Sequence, residues 1–240
     1  MDQIQHLIKD LESSDPATRE AAAHTLHDLG DDARLALPAL FSAILREPDA
    51  CPWVGTALAR LGHLAPDIDA LSSALRSENS HVRFWAARIA VNLGPDAEPL
   101  IPDLISLLCD THHPVTDSVA WALGSIGHAA ILPLVSAARS DDAQLRARAV
   151  LALGRYHENA ALKLPEIIKS LDDADSSVRK HAAHAVCSLG QSAHPDSSVY
   201  DADTLALLLG ALDRIGADST IDVDEEWFGR ICGWLRPNAT

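Results

Sequence analysis

The sequence predicts an all-α fold: an α-solenoid of about six helix pairs closed by a C-terminal helical cap. Three observations predict it. Glycines fall at a regular beat, Leu29-Gly30, Leu61-Gly62, Leu93-Gly94, Ile126-Gly127 and Leu189-Gly190, with successive gaps of 32, 32, 33 and 63 residues. The last gap is two periods, and the missing beat falls at Tyr156-His157. Eleven residues before each beat lie Arg19, Cys51, Arg83, Thr116, Arg146 and Arg179. Three and seven positions after those come Ala22/Leu26, Val54/Leu58, Ala86/Ala90, Val119/Leu123, Ala149/Leu153 and Ala182/Val186, one stripe of a 3.6-residue helix. A period near 32 over six repeats marks an array in which no pair of helices can bury its stripe alone.

Each repeat reads as two helices. In the first, Ile4, Leu7, Ile8 and Leu11 form an amphipathic face, and the second helix starts at Asp15-Pro16. An Asp side chain accepts bonds from the first free amides, and Pro suits the first helical position. The helix ends at Gly30, which can take a left-handed C-cap conformation. Later first helices follow the same scheme: Leu40, Ile44 and Leu45 after Pro38; Leu71 and Leu75; Leu104, Leu107 and Leu108 after Pro102; a helix opening near Pro133; and Ile167, Ile168 and Leu171 after Pro165. The later second helices include Asn79 to Gly94, Asp142 to Leu153, and the stretch from Asp175-Ser176 to Gly190. No stretch alternates with period 2, so no strand is expected. Gln191 to Asp203 reads as a longer polar connection. Thr204 to Ile215 reads as a helix, and so does Asp224 to Leu235, with Trp227, Phe228, Ile231, Trp234 and Leu235 on one face. The expected organisation is a continuous array over 1–190 and capping helices over 191–240, because an array's open end needs an atypical closing repeat.

Composition narrows the function classes. Nineteen Lys+Arg against 34 Asp+Glu leave a formal net charge of -15, and apolar residues make up 48%. That apolar share suits a packed soluble protein. No apolar run approaches a membrane span, and Met1 to His6 does not read as a secretory signal. The four cysteines, Cys51, Cys109, Cys187 and Cys232, lie far apart, which fits a reducing cytoplasm better than a disulfide framework.

The run Ser176-Ser177-Val178-Arg179-x-x-Ala182-Ala183-x-Ala185-Val186-x-x-Leu189-Gly190 resembles a HEAT repeat, closest to the short variety of the phycobilin lyase group. Asn79 to Gly94 and Asp142 to Leu153 match nearly as well, whereas Cys51 and Thr116 depart at the Arg position. The resemblance covers about residues 1–190. It implies that second helices line a concave surface, and it names no task, because this repeat serves many.

On the second helices, positions +2, +5 and +9 from the Arg site stand nearly opposite the apolar stripe. Position +2 holds Ala21, Trp53, Trp85, Ser118, Arg148 and His181. Position +5 holds His24, Thr56, Arg88, Trp121, Leu151 and His184, and position +9 holds Asp28, Arg60, Asn92, Ser125, Arg155 and Ser188. Three tryptophans and four arginines on one ladder of an acidic chain have the composition of a binding hot spot. Arg19, Arg83, Arg146 and Arg179 recur beside the acidic turns Asp15, Glu78, Asp141 and Asp175 and are expected to form architectural ion pairs between repeats.

Catalytic signatures are absent from the sequence. There is no Gly-x-Ser-x-Gly elbow, no phosphate-cradling glycine loop and no dinucleotide fingerprint. His24/His27 and His181/His184 are i, i+3 pairs, and Cys109, His112 and His113 cluster in a turn. The iron-binding HEAT-repeat hydroxylases carry several His-Glu pairs, and this chain has only His157-Glu158, so no metal and no cofactor is expected. Trp85, Arg88, Asp117, Trp121 and Arg148 resemble the concave set of HEAT-like DNA glycosylases, but a charge of -15 argues against nucleic acid.

The expectation is therefore a non-enzymatic, monomeric, cytoplasmic module that binds a partner protein: an adaptor, an assembly factor or a toxin-neutralising immunity protein. The expected gripping residues are Trp53, Arg60, Trp85, Arg88, Trp121, Arg148, Arg155, His181 and His184. The rival expectation is an enzyme or enzyme subunit on the same scaffold, bilin-lyase-like or glycosylase-like.

Overall fold

A computed structural model describes residues 2–46, 52–61, 68–155, 159–192, 201–217, 221, 228–229 and 231–232. These residues form helix pairs in chain order: α1 (Asp2–Asp10) with α2 (Pro16–Leu29), α3 (Leu37–Arg46) with α4 (Pro52–Leu61), and α5 (Ile68–Leu75) with α6 (Ser80–Leu93). Then come α7 (Ile101–Ser106) with α8 (His113–Ile126), α9 (His128–Ala137) with α10 (Ala143–Gly154), α11 (Ala160–Lys169) with α12 (Ser176–Ser192), and finally α13 (Ala202–Ala217). No strand occurs among the described residues. The fold is all-α, of the helical-repeat solenoid class. The helix expected over Asp224 to Leu235, Gly62 and the missing beat at Tyr156-His157 lie wholly or largely outside the described residues.

The chain divides into two compact units, Met1–Ile126 and Gly127–Thr240. In the N-terminal unit α2, α4, α6 and α8 pack side by side in succession. Their inward stripe is buried: Ala22 and Leu26, Val54 and Leu58, Ala86 and Ala90, Val119 and Leu123. In the C-terminal unit α10 packs on α12 through Ala149, Leu153, Ala182 and Val186, and α13 packs on α11 and α12 through Leu208, Leu212 and Ile215. Burying each such leucine stabilises the fold by about 2 kcal/mol, less for each alanine. The alanines contribute by letting helices approach. Backbones come close at Gly154, where an added Cβ would overlap the Cα and Cβ of Ala185.

The caps follow the expected chemistry. Asp15 accepts from the Ala17 and Thr18 amides, Asn79 from His81, Asp142 from Gln144, and Asp175 from Ser177 and Val178. The beat glycines differ in detail from the expected left-handed cap. Gly30, Gly94 and Gly127 have φ of +55°, +56° and +76°, but ψ of -135°, -129° and -131°. That corner of backbone space is essentially glycine's alone. It sends the chain from α2 and α6 into the 3₁₀ segments Gly30–Ala36 and Gly94–Leu100 that lead to α3 and α7. Gly190 does not end its helix, because α12 continues to Ser192.

The repeated arginines act as clamps, and two of them form the expected ion pairs between repeats. Each Nη1 bonds two carbonyls of its own turn: Ser13 and Ser14 for Arg19, Ser77 and Glu78 for Arg83, Ser140 and Asp141 for Arg146, Asp173 and Ala174 for Arg179. The acid that Arg83 and Arg146 pair with is not in that turn but one repeat on. Arg83 Nε and Nη2 donate to Asp110 at 2.6 and 2.9 Å, and Arg146 Nε and Nη2 donate to Asp173 at 2.9 and 2.9 Å. The turn's own Asp15, Asn79, Asp142 and Asp175 cap helices instead. For Asp110 burial pushes the carboxyl pKa up, but the Arg83 bonds, the His112 amide and the Arg83 charge prevail and hold it below the ordinary value. For Asp173 the Arg146 bond is the largest influence, and the carboxyl is again held low despite burial.

Candidate functional site

The outward ladder positions of α4, α6 and α8 meet in one hollow of the N-terminal unit. It encloses about 750 Å³, in the range of ligand and peptide clefts. Phe84, Trp85, Arg88 and Asn92 of α6 form its floor, Thr56 and Arg60 of α4 one wall with His27 of α2, and Pro114, Asp117, Ser118 and Trp121 of α8 the other.

Local packing sets each side chain. Trp85 is half-buried, and its indole lies on Gly55 of α4, where a Cβ would overlap the ring. Gly55 is the residue that lets the indole sink between helices while one face still borders the hollow. Phe84 stands edge-on to it, ring centroids 4.9 Å apart. Trp121 is 60% exposed, the most exposed tryptophan among the described residues. Arg60 reaches back over the end of α2, its Nη2 3.3 Å from where a Cβ at Gly30 would stand. Arg88 is exposed and makes no hydrogen bond or ion pair with any described residue. Asp117 Oδ2 lies 3.1 Å from His113 Nδ1, one turn back on α8.

Of the residues expected to grip a partner, the hollow brings together Arg60, Trp85, Arg88 and Trp121. Trp53 does not line it. Its half-buried ring sits edge-on to His24 and His27, centroids 4.3 and 5.6 Å away, and Asp28 lies 3.2 Å from a ring nitrogen of each histidine. Arg148, Arg155, His181 and His184 belong to the C-terminal unit. Arg148, Arg155 and His181 are half-buried there and His184 is exposed. The pKa of His184 is lowered, first by burial and then by the charges of His181 and Arg155.

Sequence reasoning missed Phe84 and Pro114. Phe84 follows the Arg site directly, a position that faces neither stripe nor ladder, and only its edge-on contact with Trp85 turns it toward the hollow. Pro114 opens α8, where capping explains it without reference to a site. Among the described residues no group of three His, Cys, Asp or Glu side chains could hold a metal ion.

Helix pairs joined by arginine clamps, with an exposed ladder on the second helices, define an α-helical repeat protein. The family model for HEAT repeats matches residues 68–144 and 131–219. The chain belongs to the HEAT-repeat family. No curated protein matches it. Among solved structures it is similar to the archaeal HEAT-like repeats protein from Thermococcus onnurineus NA1, at TM-score 0.54 and 13% identity over 97% of this chain and 96% of that one. It also matches the CpcE and CpcF complex of phycocyanin lyase from Nostoc sp. PCC7120 (TM-score 0.49, 21% identity, 97% and 94% covered). A designed armadillo repeat protein in complex with the peptide (KR)4 matches at TM-score 0.42 and 17% identity, with 98% of each chain covered. At such identities the likeness is one of fold.

Proposed function

We propose that this chain is a non-catalytic protein-interaction module and that the hollow over α4, α6 and α8 seats a segment of its partner. The observation that carries this reading is Trp121. An indole left 60% exposed, lining one hollow with a second indole and an arginine, is the composition of a binding hot spot. Arg60, Trp85, Arg88 and Trp121 are the central contacts. Trp53 in the N-terminal unit, and Arg148, Arg155, His181 and His184 in the C-terminal unit, are proposed as flanking ones. Residues 191–240 are proposed as the cap of the array. No helix among the described residues is long and apolar enough to cross a membrane, and a monomeric cytoplasmic adaptor, assembly factor or immunity protein fits the reading.

A second reading has one observation in its favour. Trp85, Arg88, Asp117 and Trp121, four residues of the glycosylase-like set, share the hollow, though Arg148 is not among its lining residues. The charge of -15 weighs against nucleic acid there.

The test is a pull-down of native partners with the full chain and with the Trp121→Ala and Arg88→Ala variants, followed by cross-linking to map the contact. Loss of one specific protein with both variants, and cross-links at α6 and α8, support the module. Retention on DNA at low salt, lost with the same variants, moves the assignment to the second reading.

A further inference from the structure

The hollow has a charge pattern that selects among protein segments. The chain carries 34 acidic against 19 basic residues, yet among its described lining residues the hollow sets Arg60 and Arg88 against one carboxylate, Asp117. The two arginines are not equivalent. Arg60 is drawn to the end of α2 against Gly30. Arg88 lines the same hollow as Trp85 and Trp121 and makes no bond to a described residue. An unpaired guanidinium in a hollow that two indoles also line suits a carboxylate that brings an apolar neighbour.

Resting on the reading of the hollow as the partner site, we infer that its occupant is an extended peptide segment of a partner protein with one Asp or Glu side chain. The carboxylate sits on the Arg88 guanidinium, and a bulky apolar residue next to it packs on Trp121. Asp117, across the floor on α8, makes the hollow bipolar. A polyanion such as a nucleic acid strand would bring a second charge against Asp117 and against the field of the whole chain. A single carboxylate meets Arg88 and brings no second charge against Asp117. The open side of the hollow lets a chain enter and leave, which a free acid does not need.

The experiment uses the full chain as bait for a displayed library of random dodecapeptides, with the Arg88→Ala chain for counter-selection. Selected peptides are then titrated by fluorescence polarisation, each beside its Glu→Gln or Asp→Asn form. The expected result is a shared acidic residue flanked by a bulky apolar one, and about tenfold weaker binding when the acid becomes an amide. Arg88→Ala should cost the same factor, and the two changes together no more than either alone. Arg88 is exposed, so thermal melting of the variant should match that of the parent chain. Peptides that bind with loss on Trp121→Ala but show no shared acid, or whose amide forms bind equally to the parent chain, overturn this inference and leave the proposed function standing. Selection of no peptide sensitive to Trp121→Ala overturns both.

Discussion

Residues 68–126 and 131–189 are corresponding two-repeat segments, 63 residues apart, and the positions that tie repeats together compare differently from those on the ladder. Both pairs that link one repeat to the next are kept, although the Arg179 clamp of the second copy has Thr116 as its counterpart. Arg83 with Asp110 becomes Arg146 with Asp173, and Arg76 with Asp103 becomes Arg139 with Glu166, with Nε to carboxylate distances of 2.6, 2.9, 2.7 and 2.9 Å. The residues that line the hollow are not kept. Trp85, Arg88, Asn92, Asp117 and Trp121 become Arg148, Leu151, Arg155, Lys180 and His184. A clamp answers to the geometry of the repeat, which does not change along the chain. A ladder residue answers to whatever lies outside it. The N-terminal segment presents indoles and a bipolar floor, the C-terminal one mainly cationic and imidazole groups, so the proposed central contacts lie in one unit and the proposed flanking ones in the other.

The largest break in this comparison concerns position 154, glycine in the second copy and Val91 in the first. Gly154→Val puts a branched side chain into the backbone of Ala185 and should cost about 3 kcal/mol. Calorimetry should show the melting temperature falling by roughly 6 °C or more. An unchanged melt would mean that α10 and α12 do not meet at this glycine.

Next comes the clamp. Asp110→Ala leaves Arg83, whose side chain is 14% exposed, without its carboxylate, and should cost about 2 kcal/mol by urea denaturation. That figure is below the cost of breaking a fully buried pair, because solvent screens part of the interaction and Arg83 keeps its two carbonyls. The same pair sets an acid limit. The Asp110 and Asp173 pKa values are held below 3.8, so these groups stabilise the fold above the unfolded carboxylate range. That contribution is lost as pH falls through their folded values. Asp110→Asn should flatten the fall in stability below about pH 4. An acid profile identical to that of the parent chain would show the pair to be neutral.

Transplanting ladder residues sharpens the comparison further. Trp121→His writes the C-terminal residue into the N-terminal hollow and should weaken partner binding by about tenfold with stability within about 0.5 kcal/mol of the parent. The reverse change, His184→Trp, should gain nothing. Equal binding by Trp121→His would place the contact elsewhere.

The smallest effect belongs to His184. Its pKa is lowered by burial, by His181 and by Arg155, so the folded chain takes up its proton later than the unfolded one. Stability should decline slightly as pH falls below about 6.5 and level off below the folded value. His184→Gln should remove that decline, which a melt series from pH 7.5 to 5 would detect.

The glycine beat, the Asp caps and the Ala and Val stripe were all readable in order along the chain, because each depends on neighbours within one helical turn. The arginine site was readable as architectural, but its true acid lies 27 residues on and outside any local pattern. The three ladder tryptophans show where reading along the chain ends. Trp53 and Trp85 occupy the same position of successive repeats and Trp121 stands one turn further on. Trp53 meets two histidines of α2, Trp85 sinks onto a glycine of α4, and Trp121 stays in solvent. The fates of Trp53 and Trp85 are set by residues facing them from the preceding repeat, about 30 positions away.

The chain's own spacing therefore determined the helices, their pairing and the face each one buries, since these follow from turn-to-turn contacts repeated six times. Which indole remains uncovered, which arginine is spent on the scaffold and which is left beside the hollow were decided only by tertiary packing. Those outcomes depend on side chains from three different helices meeting at one place, and no period in the sequence encodes that meeting.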